Sequence, residues 1–153
     1  MSDSWIVVIP ADPMYQPNER QKKNLLAELA ILAPKAEEVA IEVEGEHIQF
    51  FDCGENFETV KCPACQSELS NGIWGDWMSE DYGEGPGFDL ARSELPCCSA
   101  TLTLNELTYD MPQGFARFGV GAMNCDRPNL TTADRQILDA AIGTRVRIIY
   151  RYI

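Results

Sequence analysis

Two close pairs of cysteines give the strongest chemical signal in this sequence. Two residues separate Cys62 from Cys65 in KCPACQ, and Cys97 is adjacent to Cys98 in LPCCSA. A Cys-x-x-Cys turn supplies two of the four tetrahedral ligands of a zinc site, and a second pair farther along the chain completes the set. We therefore predict a zinc site at these four residues. Because four thiolates leave no coordination position open, the predicted zinc is structural rather than catalytic.

The adjacent pair is the irregular part of this pattern. Neighbouring side chains normally point apart, so Cys97 and Cys98 reach one ion only where the backbone turns sharply, which Pro96 favours. Cys53, in FFDCGENFE, is the substitute ligand that could replace one of the adjacent pair. Cys125 follows a predicted strand, and we interpret it as a small, partly buried hydrophobic residue.

Redox chemistry at Cys62 and Cys65 is the main alternative to zinc binding. In a thiol oxidoreductase, the Cys-x-x-Cys motif precedes a helix whose N-terminal dipole lowers a thiol pKa. Here Gly72 and Gly75 follow the motif and argue against a long helix. The sequence therefore favours zinc over a thiol oxidoreductase.

Recognisable catalytic motifs are missing from the rest of the sequence. His47 is the single histidine, and no lysine follows a glycine, so there is no phosphate-binding loop. Acids between residues 72 and 90 could serve a hydrolase, but their spacing singles out no pair. We expect a protein without catalytic activity.

Aromatic and acidic residues are mixed in the segment GIWGDWMSEDYGEGPGFDL. This mixture can recognise a partner rich in arginine or lysine. The alternative is that the tryptophans form a small core while the acids stay solvated. The candidate partner-binding residues are Trp74, Asp76, Trp77, Glu80, Asp81 and Tyr82.

The net charge of −12 at pH 7 limits the classes of partner. Nucleic-acid affinity depends mainly on Lys and Arg, so nucleic acid is a disfavoured partner and a basic protein a favoured one. An inhibitor or immunity-type protein that neutralises a basic effector is one form of this hypothesis. Three arginines near the end (Arg145, Arg147 and Arg151) leave a nucleic-acid-binding zinc ribbon as a further alternative.

The sequence predicts a cytoplasmic protein that does not enter a membrane. No apolar run approaches the roughly 18 residues that a bilayer requires, and the N-terminus lacks the basic start of a signal peptide. In a reducing compartment, paired cysteines are more often metal ligands than disulfides.

Regular elements precede and follow the cysteine-rich segment, which comprises residues 53–110. WIVVIPA predicts a strand, a helix starts at the Asn18 capping box and ends before Pro34, and EEVAIEVEGEHIQFFD predicts a hairpin that turns at Gly45. After the cysteines, QGFARFGVGAMN predicts a strand, a helix runs from a cap at Thr131 to Gly143, and TRVRIIYRYI predicts the last strand.

Two strand–helix–strand units predict an α+β fold, a ferredoxin-like βαβ–βαβ sandwich with an inserted zinc-ribbon-like segment. Residues 1–52 and 111–153 would form the core, and residues 53–110 the inserted subdomain. The insert is rich in glycine, proline and cysteine, so it can bury little apolar surface alone and needs a metal for stability.

Several distinctive stretches resemble a group of short, uncharacterised bacterial proteins with a CPxC…PCC paired-cysteine centre. The resemblance rests on WIVVIPADP, NFETVKCPAC, LPCC and NELTYDMPQGFARF, and it runs over nearly the full length. Some members carry the label of a sugar-transporter ATPase, which the missing phosphate loop contradicts here. The resemblance implies a bacterial domain family and no particular substrate or mechanism.

Overall fold

The computed structural model describes residues 2–153. Within that range the chain forms nine strands, three α-helices and a short 3-10 helix at Leu104–Glu106. In chain order the strands and α-helices are β1 (Ser4–Pro10), α1 (Glu19–Leu32), β2 (Glu38–Phe51), β3 (Val60–Lys61), β4 (Glu68–Leu69), α2 (Asn71–Tyr82), β5 (Ser93–Glu94), β6 (Thr101–Leu102), β7 (Thr108–Tyr109), β8 (Gly114–Met123), α3 (Thr132–Ile142) and β9 (Val146–Tyr152).

The four long strands form one sheet in the order β2-β8-β1-β9, and all three neighbouring pairs are antiparallel. Helices α1 and α3 pack against each other and against this sheet. Their shared core contains Val8, Leu25, Leu29, Phe118 and Leu138, all with at most 1% of their surface exposed. The predicted α+β class, with helices and antiparallel sheet, is confirmed.

Local capping explains where the two core helices begin. The Asn18 side chain accepts a hydrogen bond from the Gln21 amide at 2.8 Å, and the Gln21 side chain accepts one from the Asn18 amide at 2.9 Å. Thr131 and Asp134 form the same reciprocal pair at the start of α3. Gly143 ends α3 with a left-handed φ of 80°, a conformation that glycine adopts without steric cost.

The hairpin predicted at Gly45 is wrong. Strand β2 runs without a turn for 14 residues and pairs with β8 on both sides of this glycine. The register shifts between Glu44 and Gln49, which marks a bulge in β2. A bulge accommodates extra residues in one strand while both flanks keep the same neighbour, so the local turn signal bends the strand without reversing it.

The cysteine-rich segment packs onto one end of the sheet. Ile48 and Phe115 from β2 and β8 join Val60, Leu95 and Leu104 in one buried cluster. The predicted core (1–52 and 111–153) and the predicted insert (53–110) both contribute residues to this cluster. The division of the chain into these two parts stays a prediction.

The segment also contains a helix that its glycines argued against. Helix α2 spans 12 residues, and the Ser70 side chain caps it by accepting a hydrogen bond from the Ile73 amide at 3.2 Å. Trp74, Trp77 and Met78 pack from α2 into the cluster. Packing of this stripe outweighs a propensity cost of about 1 kcal/mol for each glycine. No helix within residues 2–153 combines the length and apolar character needed to cross a membrane.

Candidate metal centre

Each cysteine pair lies in the turn of a short hairpin. In the first hairpin, between β3 and β4, the Cys62 amide donates to the Ser67 carbonyl at 2.9 Å and the Gln66 amide donates to the Cys62 carbonyl at 2.8 Å. These bonds tighten the turn, and Gln66 takes a left-handed φ of 65° to close it.

The second hairpin, between β5 and β6, shows how adjacent cysteines can face one point. The Leu95 amide donates to the Ala100 carbonyl at 2.8 Å, and the Ser99 amide donates to the Leu95 carbonyl at 3.0 Å. Ser99 has a left-handed φ of 61°. This is the sharp backbone turn that the sequence interpretation required.

The two turns bring four thiols together. The sulfur atoms of Cys62, Cys65, Cys97 and Cys98 all lie within 4.8 Å of one another. The Cys62–Cys98 and Cys97–Cys98 sulfur distances are 3.7 Å and 3.9 Å. A tetrahedral ion with metal–sulfur bonds of about 2.3 Å has sulfur–sulfur edges of about 3.8 Å. A disulfide needs about 2.05 Å, and all six cysteines are free thiols. The cluster could therefore hold a metal ion.

Hydrogen bonds and neighbouring thiols shift the pKa values of Cys65 and Cys97 in opposite directions. Ser67 donates from its hydroxyl and its amide to Cys65, and with help from Cys97 these bonds lower the pKa of Cys65 to about 6. Withdrawal from solvent, together with the neighbouring thiols, raises the pKa of Cys97 to about 12. Cys65 is thus an anion at neutral pH, and a bound dication would draw the proton from Cys97.

Cys53 is not part of this group, which corrects its prediction as a substitute ligand. It is fully buried beside Val7 and Phe51, and its amide donates to the Gln113 side chain at 3.2 Å. Its carbonyl accepts from the Tyr152 amide, so the chain around Cys53 is fixed to the edge of the sheet. Burial raises the pKa of the Cys53 thiol to about 11. Cys125 is partly buried, as expected.

The two tryptophans of the candidate partner surface are half-buried and pack into the segment's aromatic cluster. Trp74 stacks on Phe57 with ring centroids 5.2 Å apart and donates from its indole to the Tyr109 hydroxyl at 3.3 Å. Trp77 packs into the same cluster. Both tryptophans therefore build the interior of the segment, which is the alternative that the sequence left open.

Asp81 has an internal role that the sequence did not reveal. It is 7% exposed, and its carboxylate accepts amide hydrogen bonds from Asp89, Leu90 and Ala91 at 2.8–3.1 Å. The end of α2 is thereby tied to the strand-free loop that leads to β5. Three of the six candidate partner-binding residues remain exposed, namely Asp76, Glu80 and Tyr82.

The arginines near the end of the chain are mostly engaged within the fold. Arg147 donates to Asn105 and to a backbone carbonyl, both at 2.9 Å. Arg151 donates to Glu42 at 2.6 Å and lies 3.7 Å from Asp52. Of the three, Arg145 alone forms no ion pair or side-chain hydrogen bond with residues 2–153. These three arginines therefore offer little basic surface to a nucleic acid.

No family model, no curated protein and no solved structure matches this chain. The functional interpretation therefore depends on the geometry of the chain itself.

Proposed function

We propose that the four clustered cysteines bind one zinc ion in a structural centre. The observation that carries this proposal is the mutual approach of the four sulfur atoms within 4.8 Å. Four thiolates suit zinc, with iron as the competing metal for a tetrahedral sulfur site. Because four cysteines would fill every coordination position of the tetrahedron, no position would remain open for a substrate.

The zinc would link two weak hairpins. Strands β3, β4, β5 and β6 contain two residues each. Such short ladders supply few hydrogen bonds, so a metal that joins both turns would contribute directly to folding.

Metal content and thiol labelling test this centre. We expect about one zinc per purified chain. In a Cys125→Ser background and without any added thiol, an alkylating reagent should modify no cysteine of the metal-loaded native protein. A chelator should then expose four thiols, while Cys53 should react only in denaturant because it is buried. Metal-free protein, or four reactive thiols without a chelator, would contradict the proposal.

We propose that the core belongs to the ferredoxin-like class and that the segment is a zinc-ribbon-like insert. The strand order β2-β8-β1-β9 supports the first part. Strand β8 lies between β1 and β2, and β1 lies between β8 and β9, so each strand–helix–strand unit has one strand of the other unit between its own two. Two hairpins that each carry a cysteine pair support the second part.

We infer that the whole chain is a cytoplasmic, non-catalytic interaction protein for a basic protein partner. The net charge of −12 supports this inference, as do the exposed carboxylates of Asp76 and Glu80 beside the half-exposed ring of Tyr82. An inhibitor or immunity-type role is one version of it. Long-range attraction would speed association with a positively charged surface.

A thiol oxidoreductase receives less support. Cys62 is fully buried, and strand β4 lies between Cys65 and the start of α2. The helix dipole therefore does not act on the motif as it does in that enzyme class.

Charge reversal tests the interaction proposal. A variant with Asp76→Lys and Glu80→Lys should lose a partner that the unmodified protein captures. A control with Glu38→Lys and Glu58→Lys alters two other exposed acids and has the same net charge. We expect this control to keep the partner. Equal loss from both variants would indicate a general charge effect and contradict a specific surface.

A further inference from the structure

The two cysteine hairpins have the same backbone construction, offset by 33 residues. In the first, Val60 pairs with Leu69 and Lys61 pairs with Glu68. Adding 33 to each number gives the pairs of the second, which are Ser93 with Leu102 and Glu94 with Thr101. The lengths of the strands and of the connecting turns are therefore identical.

The turns themselves correspond bond by bond. The two turn hydrogen bonds of Cys62 have their equivalents at Leu95, and the left-handed residue Gln66 has its equivalent at Ser99. Proline follows the first position in both turns. Each turn can therefore be numbered from one to six, starting at Cys62 and at Leu95.

The fourth position carries an equivalent ligand in both turns. The Ser67 amide donates to the sulfur of Cys65, and the Ala100 amide donates to the sulfur of Cys98. These donors occupy the sixth position of their turns. Both fourth-position sulfurs are thus oriented by the turn itself.

The first and third positions are where the turns differ. The first position holds the buried Cys62 in one turn and Leu95, only 2% exposed, in the other. The third position holds Ala64 in one turn and Cys97 in the other, both exposed. The second turn therefore lacks a ligand at its buried first position and supplies one from its exposed third position instead. The Cys97 sulfur lies within 4.8 Å of the other three sulfurs, and its distance to the Cys98 sulfur is 3.9 Å.

We propose that Cys97 is the exchangeable ligand of the centre and that a small external thiol can take its coordination position. Cys62, Cys65 and Cys98 would hold the metal. Cys97 would yield its place, because it occupies the exposed third position of its turn, where the first turn carries no ligand. This inference rests on the metal centre proposed above and adds a binding function to it.

The exchange balances without any oxidant. Cys97 would release the ion as a thiolate, and the sulfur of the incoming thiol would take the vacated position. The proton of the incoming thiol would move to the Cys97 sulfur. A thiol is the suitable ligand class because zinc in a sulfur-rich site retains its preference for soft donors.

Cobalt substitution provides the test, since thiolate-to-cobalt charge transfer reports the number of sulfur ligands. We expect Cys97→Ala to keep one cobalt per chain with about three quarters of the charge-transfer intensity, as a count of three sulfurs instead of four predicts. Adding 2-mercaptoethanol to this variant should restore the full intensity. Cys98→Ala, which removes a fourth-position ligand, should lose the metal and show no rescue.

A second variant tests the correspondence between the turns. Adding Leu95→Cys to Cys97→Ala places a thiol at the first position of the second turn, where Cys62 stands in the first. This double variant should regain the four-sulfur spectrum without any added thiol.

The outcomes separate the two proposals. If the unmodified protein binds no metal, the structural centre itself fails. If it binds metal but Cys97→Ala loses the metal as completely as Cys98→Ala, only the exchangeable role of Cys97 is overturned. Failure of 2-mercaptoethanol to restore the spectrum also overturns that role.

Discussion

In the sheet core, strands run for 7 to 14 residues, whereas the five strands between β2 and β8 contain two residues each. The core buries two helices on its sheet, with an apolar cluster of twelve buried residues between them. The segment instead buries aromatic rings against the end of the sheet and gathers four thiols at its two turns.

This difference separates two sources of stability. Apolar burial at about 25 cal/mol per Å² suffices for the core, whose long strands also pair along their length. The segment has short ladders and depends on two distinct contacts, the aromatic cluster and the thiol group. Breaking either one should affect the segment more than the core.

Removing the metal should have the largest effect. Structural zinc contributes about 10–16 kcal/mol of apparent binding free energy in zinc-finger peptides. We expect a chelator, or Cys62→Ala, to abolish the protection of amides in β3 to β6 against hydrogen exchange. Amides of β1, β9 and residues 118–123 of β8 should remain protected, because the cluster between the sheet and the two helices contains no metal ligand. Lower pH should act in the same direction as the chelator, since protons compete with the metal for the thiolates.

The matched control for this experiment is Cys125→Ser, which removes a thiol from outside the centre. We expect it to leave exchange in both regions unchanged. Simultaneous loss of protection in core and segment on chelation would show that the two regions unfold as one unit.

Truncating Phe115 should have the next largest effect. Its ring is fully buried and contacts Phe50 and Phe88 with centroids 4.9 Å and 5.0 Å away. Phe50 belongs to β2 and Phe88 to the segment, so Phe115 joins the two regions. Phe115→Ala should lower the free energy of unfolding by about 3–5 kcal/mol, as measured by urea denaturation. A loss below about 1 kcal/mol would show that the two regions are not coupled through this ring.

Replacing Asp81 should destabilise the segment alone. Asp81→Ala removes the acceptor for three loop amides, and leaving them unsatisfied should cost about 1–3 kcal/mol. Exchange of the amides at residues 89–91 should accelerate while the core amides stay unchanged. Asp76→Ala, at an exposed position of the same helix, should change stability by no more than about 0.5 kcal/mol. Equal effects of the two substitutions would contradict the anchoring role.

The core could be predicted from the sequence because its signals are local. The capping boxes at Asn18 and Thr131 lie within four residues of chain, and the alternating strands need no distant partner to be recognised. Gly45 shows the limit. A hairpin turn and a bulge look alike locally, and pairing with β8, about 70 residues away, decides between them.

The segment was harder to predict for the same reason. Helix α2 contains two glycines, and its stability comes from Trp74, Trp77 and Met78 packing on a distant cluster. The capping residue Ser70 was the local sign in the sequence that a helix begins here. The four thiols of the centre could be predicted from their spacing, but the exclusion of Cys53 depends on its pairing with the last strand.

Helix caps should give the smallest effect, and they compare the two regions directly. Asn18 caps α1 through a reciprocal pair of hydrogen bonds, whereas Ser70 caps α2 through one bond of 3.2 Å. Asn18→Ala should cost about 1 kcal/mol, and Ser70→Ala less, near 0.5 kcal/mol. Urea denaturation measures the first, and amide exchange within α2 measures the second. The same two measurements on the metal-free protein test whether α2 depends on its cap once the thiol centre is lost. If it does, Ser70→Ala should become the more costly of the two substitutions. In that state a large effect of Ser70→Ala would show that the metal, together with the aromatic stripe, normally holds the helix in place. An unchanged order would show that aromatic packing alone is sufficient.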